Sequence, residues 1–527
     1  MTAVRTCVLA LSALLATGLS EGLVAQTPRV APPPPCRADG RVAVAQLTQG
    51  RQPTGPVVAV LPLEARVSAP SQVHLPWALA VGISDRISEL PGIIVPSRGS
   101  TERASAGAAG RFDEFAQILA AKLVVAGSVG TERSGATIHI RITEPGSEVS
   151  RWERDFSYPD TPLHSVEHQV ALAVAEILGL PRPVEGGDTL PEGSAYDEIA
   201  RGNYFLTLHD GWAGDSARTA YERALDRVPG SAVIMAKLAR AYATALERRG
   251  RAGPLGFSPA TREANALVDR ALRRDSSVAD AWTARAALER VNNPRTYGAA
   301  LRAHERAVRA APRSADAHHE YALTLLRVGR EDAATAQLRQ ALAVENDRAS
   351  SLRLLAEIEY LGRRFASACA LVNASIAADS YDPLAYALRA RVRLRLDDFR
   401  DAFSDAETAR RLSSAVWGET LEFYVTAYAR EHDAARADSR RLAQAKLRRG
   451  VTLDVRDAAY LAMGLGAIGD RDKAFDALSR ARPRGAELRS LLRDPGFDPL
   501  RGDPRFSRVA RDDSPRSTAG SGRSTRK

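Results

Sequence analysis

Few residues of this chain have the types and spacing that catalysis or metal binding requires. His318-His319-Glu320 offers two imidazoles and a carboxylate, but consecutive helical residues point about 100° apart and cannot chelate one ion together. Asp494, Asp498 and Asp503 could supply carboxylates to calcium, yet each stands near a proline or glycine, where aspartate caps turns. The sequence contains no phosphate-binding glycine loop and no nucleophile elbow. It therefore predicts a non-catalytic protein without cofactor or metal site.

A small helical unit recurs between Trp282 and Ser414. Alanines recur every 34 residues, and a small residue follows each of them seven positions later; the pairs are Ala300 and Ala307, Ala334 and Ala341, Ala368 and Ser375, and Ala402 and Ala409. Two small side chains on one helix stripe let a neighbouring helix approach closely. Another helix precedes each of these, with its own alanine at Ala286, Ala322, Ala356 and Ala390. This two-helix period predicts an all-α solenoid.

These residues resemble the tetratricopeptide repeat family, whose second helix carries alanine, a bulky residue, alanine and then proline. Ala217-Tyr221-Ala224-Pro229 and Ala300-His304-Ala307-Pro312 match this pattern, whereas Ala264-Val268-Ala271 lacks the proline. The resemblance covers roughly 195–510 and implies an array that binds proteins or peptides. The closing stretch, 494–506, is similar to the end of TolB-like repeat proteins and is expected to cap the last helix pair.

The first helix of each stacked pair is expected to line the concave surface of such an array, and many residues at its exposed positions are arginines. The candidate protein-binding residues are Arg240, His319, Arg327, Arg353, Glu357, Arg391 and Arg395. Guanidinium groups bind carboxylates through two parallel hydrogen bonds, so this groove suits an acidic or carboxylate-ended peptide. The alternative, that the arginines only keep the surface soluble, stays open at this stage.

The amino-terminal stretch 1–25 has the features of an export signal. Arg5 precedes the apolar run Cys7–Leu19, and Leu23-Val24-Ala25 offers a small-residue cleavage site. The alternative is an uncleaved anchor, although the run is shorter than the about 20 residues that span a bilayer. The sequence thus predicts a periplasmic or secreted protein that does not span the membrane once processed.

A proline-rich linker is predicted for 26–55, and a disordered tail for 511–527. Cys36 lies in this linker, whereas Cys369 lies on a repeat helix where burial is expected, so the two thiols are expected to stay unpaired. The chain has a formal charge of +10 and only five lysines. Arginine richness can indicate a nucleic-acid surface or a GC-rich genome, and export argues against nucleic acid.

An α/β domain is predicted for 56–182, in the order β-α-β-α-β-β-β-α. Its strands are the apolar run 57–63, Ile93–Val95, Leu123–Val129, Thr137–Thr143 and Ser150–Tyr158. The stretches Ala59-Val60-Leu61-Pro62-Leu63, Gly127-Ser128-Val129 and Trp152-Glu153-Arg154-Asp155-Phe156 resemble the TolB-like amino-terminal domain. This resemblance implies a non-catalytic module that is coupled to periplasmic assemblies or signalling proteins.

The sequence as a whole favours an exported interaction scaffold. In this interpretation the solenoid at 195–510 binds a peptide or protein segment, and the α/β domain docks a second envelope partner. Two other classes stay open: a sensory module that binds a small ligand in the α/β domain, and an enzyme with a site in the cleft between the domains.

Overall fold

The computed structural model describes residues 36, 55–66, 72–96, 101, 104, 112–131, 135–147, 149–182, 193–207, 213–249, 258–293, 297–345, 347–413, 417–429, 432–482 and 486–512. The predicted signal peptide lies outside them, as do the predicted linker apart from Cys36 and Gly55, and the predicted tail beyond Asp512.

A five-stranded sheet is built around one long strand. The strands are β1 (Val57–Val60), β2 (Glu64–Arg66), β3 (Ala121–Thr131), β4 (Ala136–Thr143) and β5 (Ser150–Tyr158). β3 pairs in parallel with β1 and, further along, with β2, whereas β4 pairs antiparallel with both β3 and β5. Strand β4 shows the alternation of a half-exposed strand, with Ile138, Ile140 and Ile142 fully buried.

The strand predicted for 57–63 is shorter in the structure, and a separate short strand follows it. β1 ends at Val60, and Glu64–Arg66 then continues along β3 as β2. Pro62 lies in the gap, and a residue without a backbone N–H cannot donate to the ladder there.

The predicted strand Ile93–Val95 is reduced to a single bridge between Ile94 and Val57. The backbone of Ile94 accepts from Val58 N at 2.9 Å and donates to Pro56 O at 3.1 Å. This segment therefore extends the sheet by one residue beside β1.

Three of the helices whose bounds the structure describes cover the sheet. Helices α1 (Leu75–Ser88) and α3 (Leu163–Leu178) pack on one face, where Leu79, Ile83 and Ile87 form a fully buried stripe of α1. Helix α2 (Phe112–Leu119) packs on the other face, against β1 and β3. The α/β architecture predicted for the amino-terminal part is confirmed.

Among the described residues that follow, the next sixteen helices form eight antiparallel pairs. The first helices are α4 (Ser194–Thr207), α6 (Ala232–Arg249), α8 (Ala279–Asn292), α10 (Ala315–Arg327), α12 (Ala349–Leu361), α14 (Pro383–Arg395), α16 (Trp417–Tyr428) and α18 (Val455–Ala467). The second helices are α5 (Ala213–Arg227), α7 (Pro259–Arg274), α9 (Gly298–Ala310), α11 (Glu331–Val344), α13 (Phe365–Ala378), α15 (Phe399–Leu412), α17 (His432–Lys446) and α19 (Arg471–Arg480). The predicted solenoid is confirmed.

The small residues of the 34-residue period lie between helices, as predicted. Ala300, Ala334, Ala368 and Ala402 have no exposed surface, and neither have the small residues seven positions after them. The turns inside the pairs keep the same period. Gly329, Arg363 and Asp397 all have positive φ, at 80°, 60° and 56°, so a left-handed residue closes each turn although only the first is a glycine.

The carboxyl-terminal segment caps the last helix pair, as expected. It consists of α20 (Ala486–Leu491), a 3-10 turn (Pro495–Phe497), α21 (Asp498–Arg501) and α22 (Pro504–Asp512). Phe497 and Leu500 are fully buried, and Leu500 packs so closely on Gly466 of α18 that a β-carbon there would lie 2.9 Å from Leu500. Two short strands, β6 (Leu453–Asp454) and β7 (Ala481–Arg482), pair beside this cap.

Within the described residues, none of the helices combines the length and the apolar character needed to cross a membrane.

Candidate protein-binding surface

The first helices of the pairs line one surface of the array, which we call the inner surface. Arg240 on α6 forms ion pairs with Asp316 at 3.3 Å and Glu320 at 3.5 Å, both on α10. Helices α6 and α10 belong to pairs that are two apart, so the first helices curve around a common groove. This geometry puts side chains from distant parts of the sequence within hydrogen-bonding distance of each other.

Charged residues form a network in the amino-terminal half of the groove. Arg348 bonds both Asp316 and, at 2.8 Å, Glu345, while Arg290 bonds Glu320 at 3.1 Å. The network still reaches water, because the side chain of Asp316 is 46% exposed. The surrounding protein disfavours a charge on Glu320, but Arg290 and then Arg240 outweigh this and lower its pKa to about 2. These carboxylates are therefore charged at neutral pH.

His319 contributes a neutral group to this half of the groove. Burial, and then the charge of Arg348, lower its pKa to about 4. Its Nδ1 lies 3.1 Å from the hydroxyl of Ser351. At neutral pH the His319 side chain is therefore an uncharged imidazole, which contacts its neighbours through hydrogen bonds and not as a cation.

The guanidinium of Arg353 is hydrogen-bonded through Nε, whereas its two Nη groups have no partner among the described residues. Its Nε donates to Oδ2 of Asp382 at 2.8 Å, and the other oxygen of Asp382 accepts from Leu384 N at the start of α14. Neither Nη group hydrogen-bonds to any of the described residues, and the side chain is 17% exposed. Arg353 can therefore present a positioned guanidinium to a carboxylate.

The carboxyl-terminal half of the groove holds a carboxylate from the chain itself. Arg391 on α14 donates through Nη1 to Oδ2 of Asp494 at 2.5 Å, and the hydroxyl of Tyr360 on α12 donates to Oδ1 at 2.8 Å. Gly496 N also donates to Oδ1, at 2.7 Å, which starts the 3-10 turn. Asp494 is 1% exposed, so the cap closes this half of the groove.

Tyrosines surround the remaining arginine of this half. Arg395 donates to the hydroxyl of Tyr424 at 2.7 Å, and its guanidinium lies 4.2 Å from the ring centre of Tyr428. Glu357 is partly buried on α12, one turn after Arg353, and Arg327 is partly buried at the end of α10. The structure thus places the predicted residues on first helices but divides them between an accessible half and a capped half. Their role in partner binding stays a prediction.

Several residues of this surface were missed in the sequence. Asp316 and Glu320 are four residues apart on α10 and hence on one helix face, a spacing that could have identified them. The sequence predicts turn capping for Asp494, and Asp494 does cap the 3-10 turn. Its contacts with Tyr360 and Arg391 could not be predicted, because these residues are more than 100 positions away in the sequence.

Cys36 and Cys369 form a disulfide, contrary to the expectation of two unpaired thiols. Cys36 is buried among the apolar residues of the array, including Leu325 and Leu326, and its Cα lies 5.6 Å from that of Cys369. The expectation was wrong because it treated the proline-rich stretch as a linker throughout. A separation of 333 residues hides this proximity in the sequence.

Comparisons with solved structures give low sequence identities. A chain of the APC/C hetero-tetramer Cut9–Hcn1 aligns with 13% identity and a TM-score of 0.43, covering 66% of this chain and 60% of its own length. Yeast Tom70 aligns with 12% identity and a TM-score of 0.37, covering 66% of this chain and 77% of its own. A thermophilic TPR protein of Thermus thermophilus aligns with 22% identity and a TM-score of 0.31, covering 38% of this chain and 99% of its own.

This chain therefore spans less than two thirds of the length of the first of these structures. No family model matches the sequence, and no curated protein matches it. The period, the helix pairs and the buried small residues define the array as one of tetratricopeptide type. The resemblance of 56–182 to the TolB-like domain stays a prediction.

Proposed function

We propose that this chain is a non-catalytic interaction scaffold whose repeats bind a protein partner in the amino-terminal half of the inner surface. The cap fills the other half, so the accessible donors and acceptors lie between α6 and α12. The observation that carries the proposal is Arg353, whose Nε is fixed by Asp382 while both Nη groups lack a partner among the described residues.

The chemistry of this half supports an acidic or carboxylate-ended segment as the ligand. A carboxylate at Arg353 would accept two parallel hydrogen bonds from a guanidinium that is already positioned. Arg240 holds its carboxylates at 3.3 and 3.5 Å, longer than good charge-assisted bonds, so it can also turn to a ligand. The exposed carboxylate of Asp316 would repel an acidic group beside it, so the segment has neutral or basic residues there.

We also propose that the protein acts outside the cytoplasm, with the α/β domain docked to a second partner in the envelope. The signal-like stretch 1–25 supports export, and the Cys36–Cys369 disulfide fits an oxidising compartment. Amino-terminal sequencing is expected to find a mature chain beginning near residue 26 in the periplasmic or secreted fraction. An intact Met1 on a cytosolic chain would contradict this part of the proposal.

The binding proposal is tested by copurification from the cell envelope, followed by affinity measurements with the partner identified by mass spectrometry. Arg353→Ala is expected to weaken binding at least tenfold, and Arg353→Lys, which keeps the charge but loses the fork, by less. The matched control is Arg309→Ala on α9, an exposed arginine of a second helix. Equal affinity of Arg353→Ala and wild type would show that the partner binds elsewhere.

A further inference from the structure

One helix joins the α/β domain to the array. Tyr196 and Ala200 of α4 pack against the core of the α/β domain, whereas Ile199 is buried in the core of the first helix pairs. The ring of Tyr204, also on α4, lies edge-on to Trp77 of α1 with 5.5 Å between ring centres. The position of the α/β domain on the array therefore depends on the contacts of α4.

Two crossed hydrogen bonds between tyrosines and carboxyl groups lie in this contact. The hydroxyl of Tyr196 on α4 is 2.6 Å from Oε2 of Glu167 on α3. In the opposite sense, the hydroxyl of Tyr158 on β5 is 2.9 Å from Oδ2 of Asp197 on α4. Within the part of the chain that the structure describes, neither carboxyl group forms an ion pair, and Oδ1 of Asp197 is buried without a hydrogen bond.

The surroundings of Glu167 are crowded and contain little compensating charge. Glu167 is 1% exposed, and α1 approaches it through Gly82, where a β-carbon would clash with Oε1. Asp85 and Arg86 of α1 face it with opposite charges, and Asp197 faces it from α4. His164 of α3 lies edge-on to Tyr196, at 5.8 Å between ring centres.

The surroundings of Asp197 are similar. Besides Tyr158 of β5, the charged groups near it are Glu198 on its own helix and Arg227 on α5. Arg227 is engaged elsewhere, because its Nη1 lies 3.4 Å from a carboxylate oxygen of Glu198. Both carboxyl groups at the contact thus depend on a tyrosine hydroxyl and not on a cation.

We propose that this contact is a proton-dependent latch, which holds the α/β domain against the array while Glu167 and Asp197 carry protons and loosens when they ionise. A neutral carboxyl group fits a buried site with one tyrosine partner, whereas an ionised one there lacks the hydrogen bonds or the cation that a buried charge needs.

The direction of the pH effect follows from burial. Burial raises the pKa of Glu167 to about 8 and that of Asp197 to about 6, although the hydrogen bond from each tyrosine lowers it. A carboxyl whose pKa is raised in the docked state stabilises docking fully below its ordinary pKa and loses that effect as the pH rises through the docked value. Docking is therefore strongest in acid and weakens up to about pH 8.

The test is amide hydrogen exchange on the full chain, with the native disulfide intact, between pH 6 and pH 9 and corrected for intrinsic exchange rates. Protection of α4 and of the facing side of α1 is expected to fall roughly ten- to a hundredfold over this range. Helix α18, which lies inside the array, is the internal reference and is expected to keep its protection.

Two variants separate the latch from a general loss of stability. Glu167→Gln with Asp197→Asn removes both titrating groups of the latch and is expected to show a much smaller fall than wild type. The remaining fall is due to Asp85 of α1, whose pKa burial raises to about 7. Glu153→Gln on the exposed side of β5 is expected to follow wild type. Should the double variant fail to fold, Tyr196→Phe serves instead, because loss of its hydrogen bond is expected to move the midpoint to higher pH. Equal loss of protection in α18, no loss in α4, or a double variant that behaves like wild type would overturn the proposal.

Discussion

Asp494 and Arg391 are 103 residues apart in the sequence and form a buried ion pair in the groove, with 2.5 Å between Nη1 and Oδ2. Because Tyr360 binds the other oxygen of the same carboxylate, Asp494 ties α12, α14 and the carboxyl-terminal cap together. The cap is thus part of the inner surface as well as the end of the array.

Asp494→Ala is predicted to destabilise the carboxyl-terminal half of the array by about 3–5 kcal/mol, because it leaves Arg391 buried without its anion. Thermal unfolding followed by circular dichroism measures the effect. Asp472→Ala is the control, since the side chain of Asp472 is 90% exposed although it also pairs with a cap arginine; it is expected to leave the melting temperature unchanged. Equal melting temperatures for the two variants would show that the buried pair does not hold the cap.

Ala334→Leu is predicted to lower stability by roughly 1–3 kcal/mol, because three extra carbon atoms must fit between helices that leave Ala334 no exposed surface. Ala336→Leu on the same helix is the matched control, since Ala336 is exposed and its replacement has room to extend into solvent. Chemical denaturation of both variants measures their free energies of unfolding. A penalty no larger for position 334 than for 336 would mean that the repeat register is wrong.

Cys369→Ser is predicted to lower stability by about 2–4 kcal/mol, because the disulfide with Cys36 restrains the unfolded chain. The oxidised protein is expected to have a mass two hydrogens below that of the reduced chain and to lose thermal stability when reductant is added. The variant itself should not respond to reductant. A wild-type protein purified under non-reducing conditions with both thiols free to alkylating reagents would contradict the bond.

Acidification is predicted to weaken the array through His304. Burial, and then the charge of Arg290, lower the pKa of His304 to about 3, and its Nε2 lies 3.0 Å from the hydroxyl of Thr324. A histidine whose pKa is lowered by folding stabilises the fold above its ordinary value of 6.5, and this is lost as the pH falls towards 3. From pH 7 to pH 5 the unfolding free energy should fall by about 1–2 kcal/mol on this account.

Urea unfolding of wild type and His304→Gln at the two pH values measures this contribution, since glutamine can keep a hydrogen bond but cannot titrate. The variant is expected to be less sensitive to acid than wild type. The same acid-induced loss in His304→Gln would assign the effect to other groups.

Local patterns in the sequence were sufficient to predict the fold. The spacing from Ala300 to Ala402 is a direct consequence of helix packing, and the alternation in β4 is a direct consequence of one-sided burial. The failures within the α/β domain are also local in origin. Pro62 interrupts the first strand, and the segment around Ile94 forms one bridge where a strand was expected.

The partners of the site residues could not be predicted in the same way. The period identifies the face on which Arg240, Arg353 and Arg391 lie, but what each one meets depends on the curvature of the whole array. Arg240 finds Glu320 80 residues away, and Cys36 finds Cys369 333 residues away. Contacts over such separations follow no regular spacing, so they cannot be recognised in a single sequence.

The central claim, that the accessible half of the inner surface binds a protein, is tested most directly by photo-crosslinking in cells. A benzophenone amino acid is placed either at Leu323, on the inner side of α10, or at Arg309, exposed on α9. The account predicts a defined partner adduct from position 323 that is absent from position 309 and is lost when Arg353→Ala is added. An adduct that forms from position 309 instead, or one from position 323 that persists with Arg353→Ala, would contradict it.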